Sequence, residues 1–255
     1  MDGGKKTLIW ITGASRGIGQ ALVATVPWPN ARVIGVSRGR GKAVFNLVAD
    51  LSGPSGWQAL DISFRDELSQ FRGERIICLH AAATIDPVGW TGETSQSLYW
   101  SNVLLNATAP LIVGAAFLEA VRQLSCHRQL VLLSSGAADR VYAGLAPYAA
   151  GKAAVNQWVR TVGAEQARRG GVQVLAVTPG RVATTMHQRL RAASDDQFPE
   201  HAEFTRLHRE GQLSDPLAVA GALWSLVCDE KIATGSVIDL RDCPDAEPGA
   251  TLPSR

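Results

Sequence analysis

Apolar residues along the chain follow two rhythms. Short β-branched runs bounded by turn residues occur at residues 7–11, 32–36, 75–80, 129–134, 172–178 and 236–240, and such runs predict buried parallel strands. Between them lie longer stretches with helical periodicity, at residues 17–26, roughly 66–72, 95–124, 148–169 and 216–228. Pro27 and Pro29 stop the first helix. This alternation predicts an α/β fold: a doubly wound parallel sheet with helices on both faces, the Rossmann arrangement. No linker divides the 255 residues, so the pattern predicts one domain. Two stretches fall outside the rhythm. Residues 181–213 are polar and predict a long loop (a substrate loop at about 184–214), and the Pro-rich residues 243–255 predict a frayed tail.

Composition narrows the function classes. Lysine and arginine number 25 against 23 acids, and the basic residues are scattered. That distribution argues against a nucleic-acid partner. No run of 18 apolar residues is present, which argues against a membrane span. The apolar stretch near the start ends at Thr12-Gly13, too soon for a signal-peptide core, so the expectation is a cytoplasmic protein. Cys78, Cys126, Cys228 and Cys243 form no CxxC pair, and His187, His201 and His208 lack tight ligand spacing. No metal is expected.

The first predicted strand runs directly into Gly13, Ser15, Arg16, Gly17, Ile18 and Gly19, and a helix follows. Glycines there allow close backbone approach to a pyrophosphate, and the helix start supplies N–H donors and a positive field. The spacing is GxxxGxG rather than GxGxxG. The second strand ends in Ser37-Arg38 with no acid at the turn. An acid would favour a free ribose hydroxyl, whereas Ser37, Arg38 and Arg16 would attract a 2′-phosphate, so the reading favours NADP(H) over NAD(H).

Tyr148 and Lys152 stand four apart at the head of a long helix, on one face. A nearby ammonium lowers a phenol's pKa, making Tyr148 a candidate proton donor and acceptor for a carbonyl and its alcohol. Ser135 ends a strand 13 positions earlier, where its hydroxyl can polarise a carbonyl oxygen.

With these residues in view, the chain resembles the short-chain dehydrogenase/reductase family. The matches are residues 12–19, Asp61-Ile62 after a third strand, Asn106, Ser135, Tyr148 with Lys152, and Pro179 to Thr184. Within the family it looks most similar to the branch that holds sepiapterin and benzil reductases. The resemblance implies an NADP(H)-dependent carbonyl reductase with Asn106, Ser135, Tyr148 and Lys152 as its catalytic tetrad. It further implies that Asp61 and Ile62 border the adenine and that Ala81, Ala82 and Ala83 flank the adenosine. Tyr148 and Lys152 would also face the nicotinamide ribose, and Pro179, Gly180, Val182 and Thr184 the nicotinamide end. Asn106 has a rival in Asn102; the preference rests on Pro110, which removes a donor from the helix and can free a carbonyl there.

Two departures stand out. His80-Ala81-Ala82-Ala83 replaces the family's Asn-Asn-Ala-Gly, and His80 is expected to act as a structural hydrogen-bonder. The family's glycine-rich end after the last strand is replaced by Asp239-Leu240-Arg241. The substrate, a small carbonyl or alcohol, is expected against Ala137, Tyr142, Leu145, Arg181 and parts of residues 186–213. Helices at 104–124 and 149–162 are apolar on more than one face, which predicts a homodimer or homotetramer. The competing reading is a non-catalytic nucleotide-binding sensor or scaffold.

Overall fold

The computed structural model describes residues 7–43 and 45–243; the predicted tail at 243–255 lies, beyond its first residue, outside them. Seven parallel strands form one sheet in the order β3-β2-β1-β4-β5-β6-β7. They are β1 (Thr7–Thr12), β2 (Ala31–Ser37), β3 (Phe45–Val48), β4 (Arg75–His80), β5 (His127–Leu133), β6 (Gln173–Thr178) and β7 (Val237–Asp239). The helices are α1 (Gly17–Ala24), α2 (Pro54–Ser69), α3 (Gln96–Val103), α4 (Ala109–Val121), α5 (Ala146–Arg169), α6 (Thr185–Arg191), α7 (His201–Arg209) and α8 (Pro216–Cys228).

Alternation along the strands splits the core in two. In β1, Leu8 and Trp10 point to one face and join Phe64 of α2, Phe117 of α4 and Val155 and Val159 of α5. Ile9 and Ile11 point to the other and join Leu22 of α1 and Leu223 and Trp224 of α8. Burial on both faces is what makes β1 read as one continuous apolar run. Strand order reverses between β1 and β4, and such a switch point opens a crevice at the C-terminal strand ends.

Six of the seven strands and most helices match the sequence expectation; four elements differ. The short β3 escaped the pattern because, as an edge strand, it has a burial rhythm of exposed and half-buried residues. Helix α2 begins at Pro54, far earlier than residue 66, with that proline in the first turn. The stretch 181–213 is no open loop. It carries α6, capped by the Thr184 hydroxyl, and α7, whose Phe204 and Leu207 are buried. Both rest on a third apolar cluster with Ile85, Leu145, Tyr148, Leu190 and Phe198. Their short length and polar outer faces hid them.

The stretch from α3 to α4 is apolar and long enough to cross a membrane by composition alone, yet Val113, Phe117 and Val121 are built into the core.

Candidate functional site

The glycine turn after β1 forms one wall of a cleft of about 690 Å³ at the switch point. Gly13 takes a φ of +69°, in the left-handed region that favours glycine. A Cβ at Gly19 would lie 2.3 Å from the Gly13 carbonyl oxygen, so this turn closes only without a side chain. Gly13, Ser15, Arg16, Gly17, Ile18 and Gly19 all line the cleft, as do Ser37, Arg38, Ala81, Ala82, Ala83 and Thr184. Thr12 holds the facing turn in place: its Oγ1 accepts the N–H groups of Ala81 and Ala82, both at 3.1 Å.

Asp61 and Ile62 are not at the cleft. They lie in the middle of α2, where Asp61 pairs with Arg65 at 2.8 Å and the Ile62 side chain is half exposed. Asp50 and Leu51 occupy the expected place at the end of β3, beside Ser52. The missed edge strand caused the misplacement. The Ser52 N–H and hydroxyl both donate to Asp50 Oδ1, at 3.0 and 2.7 Å. These bonds, the backbone one foremost, hold the Asp50 carboxyl below its ordinary value, with help from Arg38. Ser37 donates its hydroxyl to the Gly39 carbonyl at 2.5 Å, fixing the turn from which Arg38 projects.

A second cavity of about 170 Å³ adjoins the first, and Ile18, Ala81, Ala83, Ile85, Leu133, Thr184 and Met186 line both. Ser135, Tyr148 and Lys152 line it, together with Pro179, Gly180 and Val182, which therefore stand at the junction side rather than along the nucleotide cleft. Ala137, Tyr142, Leu145 and Arg181 line it as expected. The Ser135 hydroxyl, which accepts the Ala137 N–H at 3.2 Å, stands near enough to the Tyr148 phenol to favour its charged form. Lys152 Nζ donates to the Leu133 carbonyl at 2.8 Å and lies 5.7 Å from the Tyr148 ring centre.

Burial governs the charges here. It pushes the Tyr148 phenol above its ordinary value, and only the Ser135 hydroxyl works against it. The expected drop in Tyr148 pKa is thus absent: desolvation of the phenolate dominates, and Lys152 is not among the groups that shift it. Burial also lowers Lys152 to about 8.

Asn106 and Asn102 form a pair. Asn106 donates to Asn102 Oδ1 at 2.7 Å and to the Thr84 carbonyl at 2.8 Å, and it accepts the Thr84 N–H at 3.1 Å. Both are fully buried. The residue four on from Asn106 is Pro110, so the Asn106 carbonyl lacks its usual helical donor, and the backbone opens into a π-turn over Leu104–Thr108. The two asparagines therefore divide one task, with Asn106 next to α5: a Cβ at Gly151 would sit 2.8 Å from the Asn106 Cβ.

His80 does not hydrogen-bond as expected. Both ring nitrogens are buried without a partner in the structure, and burial, then Lys152, lowers its pKa to about 3. Thr12 does the tying that was assigned to His80. Sequence reasoning also missed Arg140 and Arg241 in the second cavity. It missed as well the ion pair of Arg189 with Asp86, at 2.8 Å, which joins α6 to the turn after β4 beside the cleft. No short motif marks any of these. Among the described residues, no cluster of histidine, cysteine and acids is set up to hold a metal ion.

Comparison with known proteins gives a consistent picture. The family model described as short chain dehydrogenase matches residues 7–195. Benzil reductase ((S)-benzoin forming) of Bacillus cereus is 27% identical over 240 residues, covering 89% of this chain and 96% of that protein. Sepiapterin reductase of Bos taurus is 30% identical over 263 residues, covering 93% and 95%. A crystal structure of an actinorhodin polyketide ketoreductase with NADPH superposes with a TM-score of 0.76 at 21% identity, covering 92% of this chain and 95% of that one.

Proposed function

Because the chain belongs to the short chain dehydrogenase family, we propose that it is an NADP(H)-dependent carbonyl reductase in which Tyr148 is the general acid. The observation that carries this reading is the junction of the two cavities. Ser135, Tyr148 and Lys152 line the smaller one, and it shares seven lining residues with the nucleotide cleft.

The cradle fits a dinucleotide, since Gly13 and residues 15–19 line a cleft of about 690 Å³ at the start of α1, where free N–H groups favour an anion. Gly13 to Gly19 would meet the pyrophosphate, Asp50 and Leu51 the adenine, and Val182 and Thr184 the nicotinamide end. Ser37, Arg38 and Arg16 carry the preference for a 2′-phosphate, because no acid stands at the turn after β2. When bound, the nucleotide would supply the hydride. Ser135 and Tyr148 then share the substrate carbonyl oxygen as donors. A raised phenol pKa keeps Tyr148 protonated at neutral pH, ready to give its proton to the developing alkoxide. Lys152, with a pKa near 8, can return a proton to Tyr148 at little cost. Asn106 and Asn102 brace the Thr84 backbone and the π-turn against α5.

The test is NADPH oxidation, followed optically, with aryl ketones and diketones as substrates. Stoichiometric NADPH loss that disappears in Tyr148→Phe, with nucleotide binding kept, supports the reading. Tight nucleotide binding without turnover of any carbonyl refutes it in favour of a binding protein. Trp100, Val103 and Ile112 are exposed on α3 and α4, and this apolar face supports assembly as a homodimer or homotetramer, to be measured by sedimentation.

A further inference from the structure

The catalytic cavity is charged with one sign. Its lining carries Lys152, Arg140, Arg181 and Arg241 and no carboxylate. The acids stand behind the guanidinium groups. Glu203 accepts Arg181 Nη2 at 2.9 Å, and Asp239 accepts Arg241 through Nε at 2.9 Å and Nη2 at 2.5 Å. Each carboxylate fixes the orientation of a planar fork and leaves other N–H groups free to meet a ligand. Arg140 has no ion pair among the described residues, although it is near enough to Asp239 to help hold that carboxyl low. Three guanidinium groups and Lys152 thus line the cavity, whereas Glu203, Asp239 and Asp242, which also acts on Arg241, stand outside its lining.

The rest of the wall is flat and apolar. Tyr142 and Phe204 meet edge to face at 6.1 Å, His187 lies against Phe204 at 5.1 Å, and the Arg181 guanidinium is 5.9 Å from the Phe204 ring centre. His187 is only 5% exposed, lines the same cavity, and has both ring nitrogens unpartnered. Buried polar atoms of this kind seldom stay unmatched. Arg241 packs over Gly180: a Cβ built there would lie in ordinary contact with the Arg241 Cγ and Cδ, at 3.4 Å. A concave, partly apolar site lined by one sign of charge concentrates the opposite sign.

We propose that the substrate of this cavity is an anionic ketone: a carboxylate on an aromatic or similarly flat frame. Its carbonyl lies at Ser135 and Tyr148, and its carboxylate at Arg140, Arg181 and Arg241. His187 supplies a neutral N–H beside the ring. The inference rests on the carbonyl-reductase reading for the identity of the reacting group, and the guanidinium set carries the rest.

The experiment compares 4-acetylbenzoate with its neutral match, 4-acetylbenzamide, in the purified protein with saturating NADPH. We expect kcat/KM for the acid to exceed that for the amide by at least tenfold. This ratio should fall at least fivefold in each of Arg140→Gln, Arg181→Gln and Arg241→Gln, and it should shrink as potassium chloride is raised. An amide reduced as well as the acid overturns the inference and leaves the reductase reading standing. A ratio untouched by all three substitutions overturns it too. Should neither ketone be reduced, the reductase reading is decided separately by the diketone assay above. Calorimetric titration of both compounds into NADP⁺-loaded protein then decides: tenfold tighter binding of the acid, lost in Arg140→Gln, sustains the anion site, and equal binding removes it.

Discussion

Replacing Lys152 with methionine should stabilise the fold while destroying the activity. Lys152 is 3% exposed and donates a hydrogen bond to the Leu133 carbonyl. Burial lowers its pKa from 10.5 to about 8. At about 1.4 kcal/mol per tenfold change, holding the charged form in the folded state costs about 3 kcal/mol. Methionine fills similar volume without charge, but it leaves the Leu133 carbonyl unpaired, at a cost of about 1 kcal/mol. The expected gain at pH 7 is therefore about 2 kcal/mol, or roughly 4–8 °C in Tm for a domain of this size.

The pH dependence has a definite sign. Below about pH 8 both folded and unfolded wild-type chains carry the proton, and the penalty is complete. As pH rises from about 8 towards 10.5 the folded protein sheds the proton first, so the wild type gains stability relative to the variant. Urea unfolding of both proteins at pH 6.5 and at pH 10 measures the difference. A variant less stable than wild type at pH 6.5, or a difference independent of pH, would refute the reasoning.

Tyr148→Phe should lower kcat by about 10²–10⁴-fold and keep the nucleotide dissociation constant within about threefold, as read by fluorescence titration. Gly19→Ala drives a Cβ to 2.3 Å from the Gly13 carbonyl; it should cost about 1–3 kcal/mol in urea unfolding and abolish measurable nucleotide binding. Arg38→Ala should weaken NADPH binding by about tenfold and leave NADH binding unchanged, since only the former offers a 2′-phosphate. Equal loss for both nucleotides would sink the phosphate argument.

The sheet was legible because its strands are buried on both faces, and continuous apolar runs survive any uncertainty about ends. The meeting of Ser135, Tyr148 and Lys152 in one cavity was legible because they sit at strand and helix ends set by chain order. Phe45–Val48 was not, since an edge strand half open to solvent has no apolar signature. That omission moved the expected adenine contact away from the end of β3, where Asp50 lines the cleft, to Asp61 in α2. Helices α6 and α7 were hidden for a related reason: only their inner residues, such as Leu190 and Phe204, meet the body of the protein. The cationic wall was invisible because Arg140, Arg181 and Arg241 come from three distant segments that only the tertiary fold brings together. The direction of the Tyr148 shift failed because spacing reveals a neighbour's charge but not the depth of burial.

Thr12 gives the site a mechanical property. One hydroxyl at the tip of β1 receives two amides from the tip of β4, so the glycine turn and the alanine turn move as one piece. Strain applied by a ligand to either wall is carried across a single oxygen atom to the other. The Asp86–Arg189 bridge is a tie of another kind: on the side of α6, the cleft is bounded by an exposed ion pair that water and salt can loosen.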